Sequence, residues 1–283
     1  MPGNGIRFCA GGFPHARRIR LNGEEPVPII TLLTDFGDQD GYVAAMKGVI
    51  LGIAPDVTLV DITHAIMPQA IQQAAYVLAQ AAPFFPPGAI HLAVVDPGVG
   101  SSRRPLALQT AFAAFVGPDN GLFSAALASA ADFTCVQLDQ PRFWRAQPSH
   151  TFHGRDIFAP VAAHLARGAP LTELGTPISD PVRLNLPAPQ RGPDGLLSGA
   201  IVHVDHFGNL ISNIPAAWLT TDRCQVHIAG ATIDNIQPSF AAAPLGALLA
   251  YRGSAGTLEI AVRNGHAAQM LGVHVGQALR VSP

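Results

Sequence analysis

Charged residues are scarce in this sequence, and their signs nearly cancel. Of 283 residues, 17 are Lys or Arg and 19 are Asp or Glu, so charged residues make up 13% of the chain, against about 25% in an average soluble domain. The net charge of −2 provides no positive field for a nucleic-acid backbone. We therefore expect no nucleic-acid partner, and neither an acidic nor a basic partner is indicated.

A long uninterrupted apolar segment is also lacking, although residues 62–95 contain no Asp, Glu, Lys or Arg. That stretch holds Pro68, several glutamines and the sequence Pro86-Pro87-Gly88, whereas a membrane-spanning helix needs about 20 apolar residues in a row. Residues 1–26 mix arginines with glycines and have no apolar core of a secretory signal. We expect a poorly ordered extension at 1–26, no membrane association and a cytoplasmic location.

Several catalytic and metal-binding signatures are missing. The three cysteines, Cys9, Cys135 and Cys224, are far apart and odd in number, which fits neither a disulfide framework nor a zinc knuckle. No H-x-H, H-E-x-x-H or paired cysteine motif is present, so a metal site has little support. The absence of G-x-S-x-G argues against an α/β-hydrolase.

Short apolar runs alternate with helical patterns from Pro28 onward. Strands are predicted at residues 29–33, 57–60 and 89–95, and helices at Tyr42–Ile53 and residues 69–80. Successive strand-helix-strand units predict an α/β domain with a mainly parallel sheet. Ligands of such sheets bind beyond the carboxyl ends of the strands, so the loops there are the place to look for a site.

The composition of the sequence changes after a predicted helix at 157–167. Residues 177–197 contain five prolines, which is typical of a linker. The later apolar runs are short and strand-like, which predicts a smaller all-β, barrel-like domain. The expected division is an extension at 1–26, an α/β domain at 27–190 and a β domain at 191–283.

Asp35 and Asp40 flank the turn between the first strand and the first helix, five positions apart. Two carboxylates at that place could bind vicinal hydroxyls or a primary ammonium group. The alternative for Asp40 is a simple role as the N-cap of the helix that follows. The residues alone leave both interpretations open.

Asp96 and Arg103 lie on either side of a turn rich in glycine and serine, Pro97–Ser102. Such a turn is similar to an anion-binding nest, but it lacks the Gly-Lys-Ser/Thr end of a P-loop and precedes no obvious helix. It could instead fold Arg103 back onto Asp96 as a charge-assisted pair. His153 lies in a loop before a helix, and His64 follows a strand with no clear role.

Two turns of the β domain carry polar groups. Residues 205–209 combine Asp, His, Phe, Gly and Asn, and residues 253–256 read Gly-Ser-Ala-Gly. Taken alone, each is an ordinary turn next to a strand. The residues by themselves therefore indicate a two-domain α/β protein, either an enzyme or a binding protein, with a carboxylate-rich site in its loops.

Five motifs in order resemble the S-adenosylmethionine (SAM) hydrolases, also called SAM hydroxide adenosyltransferases, which are relatives of the fluorinase and chlorinase. The motifs are Thr34-Asp35-Phe36-Gly37 with Asp40, Val95–Gly100 with Arg103, Gly117–Gly121, Phe152–Asp156 and Asp205–Asn209. The resemblance runs from about residue 29 to 281. It implies hydrolysis of SAM to adenosine and L-methionine by in-line attack of a positioned water at C5′, with no metal or other cofactor. It also implies a homotrimer whose sites lie between the N-domain of one subunit and the C-domain of its neighbour.

The resemblance also implies a role for each matching residue. Asp96, Arg103 and His153 match the triad that positions the attacking water. The expected substrate-binding residues are Asp35 for the ribose hydroxyls, Asp40 and Asp205 for the methionine ammonium, Asn209 for the adenine edge, Phe207 and Phe240 as its aromatic neighbours, and Ser254 for the amino-acid moiety.

The triad separates the hydrolases from the halogenases of this superfamily. The halogenases have a tyrosine where this chain has Asp96 and lack the histidine, and the stretch 105–117 is too short for the fluorinase insertion. Two positions depart from the fluorinase pattern, since Gln69 replaces a tryptophan near the sulfonium and Ala255 replaces an arginine. A SAM-dependent halogenase, a non-catalytic SAM or nucleoside sensor, and a metal-dependent hydrolase are the alternatives.

Overall fold

A computed structural model describes residues 27–283. Within that range the chain forms two compact units, one up to Leu184 and one from Asn185, and each is described by itself. The expectation about residues 1–26 and the position of Cys9 lie outside the described residues.

The first unit is built on a seven-stranded sheet. Its strands are β1 (Ile29–Thr34), β2 (Thr58–Thr63), β3 (Ile90–Val94), β4 (Pro105–Thr110), β5 (Ala114–Pro118), β6 (Phe133–Leu138) and β7 (Gly175–Pro177). The order in the sheet is β2-β1-β3-β5-β4-β6-β7. The neighbours among β2, β1, β3 and β5 pair in parallel, and β4, β6 and β7 continue the sheet with antiparallel pairings. The predicted α/β fold is confirmed.

Helices cover both faces of this sheet. They are α1 (Tyr42–Ile53), α2 (Ile71–Ala81), α3 (Ser124–Ser129) and α4 (Ala159–Ala166), and a π-helical turn at Gly154–Phe158 leads into α4. Side chains of β1 point alternately to the two faces. Ile30 and Leu32 belong to a core with residues of α1 and α4, whereas Leu33 belongs to a second core with residues of α2 and α3.

The helix α1 has the predicted bounds, but the alternative that Asp40 is its N-cap is wrong. Gly41 occupies the cap position, and no side chain bonds the first turn. Asp40 is exposed and one residue too early for its carboxylate to reach the free N–H groups. The helix predicted at 69–80 begins at Ile71, because Gln69 takes a left-handed conformation with φ 67°.

The second unit is all-β and barrel-like, as predicted. Its strands are β8 (Gln190–Arg191), β9 (Leu197–Val204), β10 (Leu210–Pro215), β11 (Gln225–Ile228), β12 (Ala231–Asp234), β13 (Ile236–Gln237), β14 (Leu248–Arg252), β15 (Thr257–Val262) and β16 (Ala278–Ser282). The order is β12-β11-β16-β9-β10-β15-β14-β13, with β8 on β9. A short helix, α5 (Ala267–Leu271), follows β15. A large core of mainly aliphatic side chains lies in the unit, and a smaller cluster is formed by Ala243, Leu249, Tyr251 and Ala261.

In residues 27–283, no helix is long and apolar enough to cross a membrane. The same part of the chain contains no group of three or more His, Cys, Asp or Glu side chains arranged to hold a metal ion. Cys135 and Cys224 are buried free thiols.

His91 makes the stability of the protein sensitive to acid. Its ring is buried in β3, where Nδ1 lies 2.8 Å from the Thr31 hydroxyl, and burial lowers its pKa to about 4. Between pH 6.5 and 4 the unfolded chain binds a proton here that the folded chain does not, so acidification favours unfolding. From pH 7 to pH 5, we expect His91 to contribute about 2 kcal/mol of lost stability.

Denaturant unfolding at both pH values measures this effect. The variant His91→Phe is expected to be less stable at pH 7, because Thr31 loses its partner, and to lose less stability on acidification. An equal loss in both proteins would contradict the prediction.

Candidate active site

The carboxyl ends of β1, β3 and β5 lie at the same edge of the sheet, because these three strands are parallel. Asp35, Asp96 and Asp119 each follow one of these strands within two residues. An edge that receives three loops from parallel strands is the usual ligand-binding position in an open α/β sheet. The candidate site is therefore built from the loops at this edge and from the turn before α4.

The turn after β1 is tied to the loop between β2 and α2. The Asp35 carboxylate accepts a hydrogen bond of 2.8 Å from the backbone N–H of Gln69. The N–H of Gly37 donates to the carbonyl of His64 at 2.9 Å. The Gln69 backbone thus orients Asp35, while Asp40 is exposed to solvent on the same turn.

Three aromatic rings lie beside the same turn. Phe36, Tyr42 and Phe152 contact one another with ring centroids 5.2 to 5.8 Å apart. A Cβ on Gly154 would lie 3.3 Å from Phe152 and 3.5 Å from Phe36, so a side chain there would push into the cluster. This cluster joins the β1 turn to the segment that carries His153.

Asp96 and Arg103 form a bidentate ion pair. Arg103 Nε donates to Asp96 Oδ1 at 2.8 Å, and Arg103 Nη2 donates to Asp96 Oδ2. Both side chains are about nine-tenths buried or more. The glycine-rich turn makes the pair possible, since Ser101 bonds both the Gly98 carbonyl and the Arg103 N–H.

His153 contacts the same arginine. Arg103 Nη2 lies 3.0 Å from His153 Nδ1. Because a guanidinium can only donate, Nδ1 is the acceptor, and the neutral ring carries its proton on Nε2. Partial burial and the charge of Arg103 lower the pKa of His153, and the charge of Asp96 only partly offsets them. At neutral pH, His153 is therefore a hydrogen-bond donor through Nε2.

One donor of Arg103 remains available. Its Nη1 atom is buried and has no hydrogen-bond partner among the described residues, while the guanidinium lies 5.2 Å from the ring centroid of Phe158. A buried N–H group without a partner is costly. The N–H groups of Nη1 therefore have hydrogen-bonding capacity that no described residue uses.

Asp156 anchors the turn that carries His153. It is fully buried and accepts hydrogen bonds from Arg145, Arg155 and the Ser149 N–H at 2.7 to 2.9 Å. Burial alone would raise its pKa, but these hydrogen bonds lower it to about 2. No role for Asp156 was predicted from the sequence, although the adjacent Arg155 was a visible signal.

Asp119 forms a second buried pair at the same edge. It accepts from Arg104 Nε at 2.8 Å and from the Val182 N–H at 2.7 Å. Asn120 donates to the Val95 carbonyl at 2.8 Å, which ties the end of β5 to the end of β3. These contacts connect loops and explain the polar residues of the Gly117–Gly121 motif structurally.

In the second unit, residues 205–209 form the predicted turn between β9 and β10. Asp205 accepts from the N–H groups of Phe207 and Asn209 at 2.9 and 2.8 Å, and from Asn209 Nδ2 at 2.8 Å. Asn209 is buried, whereas the Phe207 ring is 71% exposed. The turn thus presents an aromatic ring beside a carboxylate that is already held in place.

Glu259 lies next to the other polar turn of this unit. Its carboxylate accepts a hydrogen bond from the Tyr251 hydroxyl, and burial raises its pKa. A Cβ on Gly253 would lie 1.8 Å from Glu259 Oε1, so a larger residue before Ser254 would require the Glu259 side chain to move. The Phe240 ring lies 4.7 Å from that of Tyr251. Neither Tyr251 nor Glu259 was identified from the sequence.

The structure thus brings the predicted residues together in separate groups. Asp96, Arg103 and His153 are in direct contact, and so are Asp205 and Asn209. Asp35 and Asp40 share one turn, Phe240 contacts Tyr251, and Ser254 follows Gly253, which lies beside Glu259. The role assigned to each residue stays a prediction.

Comparison with known proteins gives the same family over both units. Residues 30–175 match the SAM hydroxide adenosyltransferase N-terminal domain, and residues 199–280 match the C-terminal domain. A relative from Salinispora arenicola named (R)-S-adenosyl-L-methionine hydrolase is 42% identical over 90% of this chain and 98% of its own length.

A more distant relative and a solved structure are also similar to this chain. A relative from Nocardia brasiliensis named fluorinase is 29% identical over 83% of this chain and 90% of its own. A crystal structure of a conserved protein from Thermotoga maritima matches with a TM-score of 0.84 at 35% identity, over 90% of this chain and 100% of that one.

Proposed function

This chain belongs to the SAM hydroxide adenosyltransferase family, and from that premise we propose that it hydrolyses S-adenosyl-L-methionine to adenosine and L-methionine. The observation that carries the proposal is the direct contact of Asp96, Arg103 and His153 at the ligand-binding edge of the sheet. The relatives' name specifies the (R) epimer at sulfur, so (R)-S-adenosyl-L-methionine is the first substrate to test.

The chemistry requires an aligned nucleophile more than an acid. The leaving group is a neutral thioether expelled from a sulfonium, so it needs no proton. The water oxygen forms a bond to C5′ while the C5′–S bond breaks, its electron pair goes to sulfur, and one proton leaves the water. Alignment alone can supply effective molarities of about 10⁵ M or more.

Each triad residue contributes to this step. Arg103 Nη1, which has no partner among the described residues, is assigned to the water oxygen as a donor, together with the Nε2–H of His153. Asp96 accepts the departing proton, because a carboxylate bound by one guanidinium still has lone pairs available. Arg103 orients the Asp96 carboxylate before the attack through the hydrogen bonds from Nε and Nη2.

The remaining predicted residues bind the substrate. Asp35 receives the ribose hydroxyls, and Asp40 with Asp205 faces the methionine ammonium. Asn209 reads the adenine edge. Phe207 and Phe240 flank the adenine, and Ser254 contacts the amino-acid moiety. The acidic side chains suit a substrate whose sulfonium and ammonium are both positive.

Assembly and location are proposed on the same basis. The triad lies in the first unit and the predicted adenine-binding residues lie in the second, so a complete site needs both kinds of unit. We propose a homotrimer in which neighbouring subunits complete each other's sites, a cytoplasmic location and no cofactor. Light scattering of the purified protein tests the trimer, and a monomeric mass would contradict it.

Incubation of the purified protein with SAM is expected to yield adenosine and methionine in equal amounts. Chromatography of the products measures both. Turnover is expected to be unchanged by a chelator, and added chloride is not expected to yield 5′-chloro-5′-deoxyadenosine faster than adenosine.

Each contrary result would identify a different alternative. Binding of SAM without any product would favour a sensor, loss of turnover with the chelator would favour a metal-dependent hydrolase, and faster formation of the chlorinated nucleoside would favour a halogenase. Each of these outcomes would overturn the proposed function.

A further inference from the structure

A chain of polar side chains lies behind the Asp35 turn and takes no part in the proposed reaction. Lys47 Nζ lies 2.6 Å from Asp61 Oδ2, and Asp61 Oδ1 lies 3.1 Å from His64 Nε2. His64 Nδ1 lies 2.9 Å from the Thr34 hydroxyl, which accepts from the Phe36 N–H at 3.2 Å. The chain connects α1 and β2 to the last residue of β1.

The donors and acceptors among Asp61, His64 and Thr34 can be assigned. A carboxylate can only accept, so the proton of a neutral His64 ring lies on Nε2, which is 3.1 Å from Asp61 Oδ1. The Thr34 hydroxyl then donates to His64 Nδ1 and accepts from the Phe36 N–H. Partial burial of Asp61 opposes its ionisation, but the hydrogen bond from Lys47 and the nearby His64 lower its pKa below the ordinary value. The contact between His64 Nε2 and Asp61 is close in distance but does not meet hydrogen-bond geometry.

The order Thr-His-Asp is that of a nucleophilic triad, but the location excludes that role. Thr34 has no exposed surface, and His64 is 8% exposed. A substrate atom cannot reach the hydroxyl. This row of polar side chains is therefore suited to holding the backbone in place and not to attack on a substrate.

The backbone that it holds carries Asp35. Thr34 directly precedes Asp35, and the His64 carbonyl accepts from the Gly37 N–H at 2.9 Å on the other side of the turn. The loop that starts at His64 also supplies Gln69, whose N–H orients the Asp35 carboxylate at 2.8 Å. His64 thus supports the turn before and after Asp35.

We propose that His64 and Asp61 are positioning residues that hold the Asp35 carboxylate where it binds the ribose hydroxyls. The inference rests on the proposed function, in which Asp35 receives the ribose. Its expected consequence is specific. Loss of the contacts among Asp61, His64 and Thr34 weakens recognition of the ribose more than it weakens recognition of any other part of the substrate.

The test compares the binding of adenosine and 2′-deoxyadenosine by calorimetry, with the purified full-length protein. A site built to bond a hydroxyl strongly disfavours the analogue that lacks it, because its polar group is left without a partner. The wild-type protein is expected to prefer adenosine. Asp61→Asn and His64→Phe are expected to reduce this preference by roughly tenfold.

His91→Phe is the matched control. His91 is also buried and also bonds a β1 threonine, with Nδ1 2.8 Å from the Thr31 hydroxyl, but it has no contact with the Asp35 turn in the hydrogen bonds of the described residues. Its replacement should cost stability and leave the preference for adenosine unchanged. Asp61 is partly exposed, so Asp61→Asn provides a folded variant even where His64→Phe does not.

The outcomes separate the inference from the function on which it rests. Unchanged preference in Asp61→Asn, together with normal SAM hydrolysis by the wild type, would overturn the positioning role alone. An equal loss of preference in His91→Phe would also overturn it, because the effect would then be general to the sheet. A wild-type protein without any preference would overturn the ribose-binding role of Asp35 and the inference with it.

Discussion

Asp96→Asn is expected to lower kcat for adenosine formation by about 10²- to 10⁴-fold and to change KM by much less. The substitution keeps the shape of the side chain and removes the charge that pairs with Arg103 and accepts the proton from water. Since the proposed function gives Asp96 no contact with adenine, ribose or methionine, substrate binding should be largely preserved. Initial rates of adenosine formation over a range of SAM concentrations measure both constants.

Asp119→Asn provides the control for this prediction. Asp119 is also buried at the sheet edge and is also paired with an arginine, Arg104, by a bond of 2.8 Å, but it connects loops and belongs to no proposed reaction step. Its loss should lower stability with little change in kcat. A similar fall in kcat for both variants would mean that Asp96 acts only by supporting the fold.

Arg103 and His153 extend the same argument. Arg103→Ala removes the partner of Asp96 and the free donor at Nη1, so kcat should fall at least as far as in Asp96→Asn. His153→Ala removes one donor and should have a smaller effect. Full retention of activity in all three variants would exclude the proposed triad.

The parts of the fold that were predictable follow from local patterns. The helix Tyr42–Ile53 has the predicted bounds, and β1 and β3 differ from the predicted strands by at most one residue at each end, because apolar periodicity and turn residues act over a few positions. The position of Asp35 and Asp96 at one edge was also predictable, since parallel strands place their carboxyl ends together.

The parts that were missed depend on contacts between distant segments. Asp40 was a candidate cap from its position alone, but the backbone places Gly41 there. The chain from Lys47 through Asp61 and His64 to Thr34 joins residues of three elements, and no spacing in the sequence reveals it. Likewise, the second hydrogen bond between Arg103 and Asp96 depends on how the turn 97–102 folds.

Asp156→Ala is expected to destabilise the first unit by about 1.5–3 kcal/mol, which is the usual contribution of hydrogen bonds to a charged group. The carboxylate has no exposed surface and accepts four hydrogen bonds, three of them from two arginines. Without it, Arg155 and the Ser149 N–H lose their acceptor. Denaturant unfolding at pH 7 measures the loss.

A surface carboxylate gives the comparison. Asp139 also accepts bonds from neighbouring side chains, Thr176 and Gln140, but it is close to solvent, so Asp139→Ala should cost about 1 kcal/mol or less. Equal effects for the two variants would show that Asp156 is not the anchor of its turn.

The pH dependence provides an independent measure of the same interaction. The pKa of Asp156 is about 2 in the folded protein and about 3.9 in an unfolded chain. Its stabilisation is therefore complete above pH 4 and is lost as the pH falls toward 2, an effect of about 2 kcal/mol. In Asp156→Ala this component of the acid transition should be absent. Because His153 lies three residues before Asp156, the variant should also lose adenosine formation under conditions in which it remains folded.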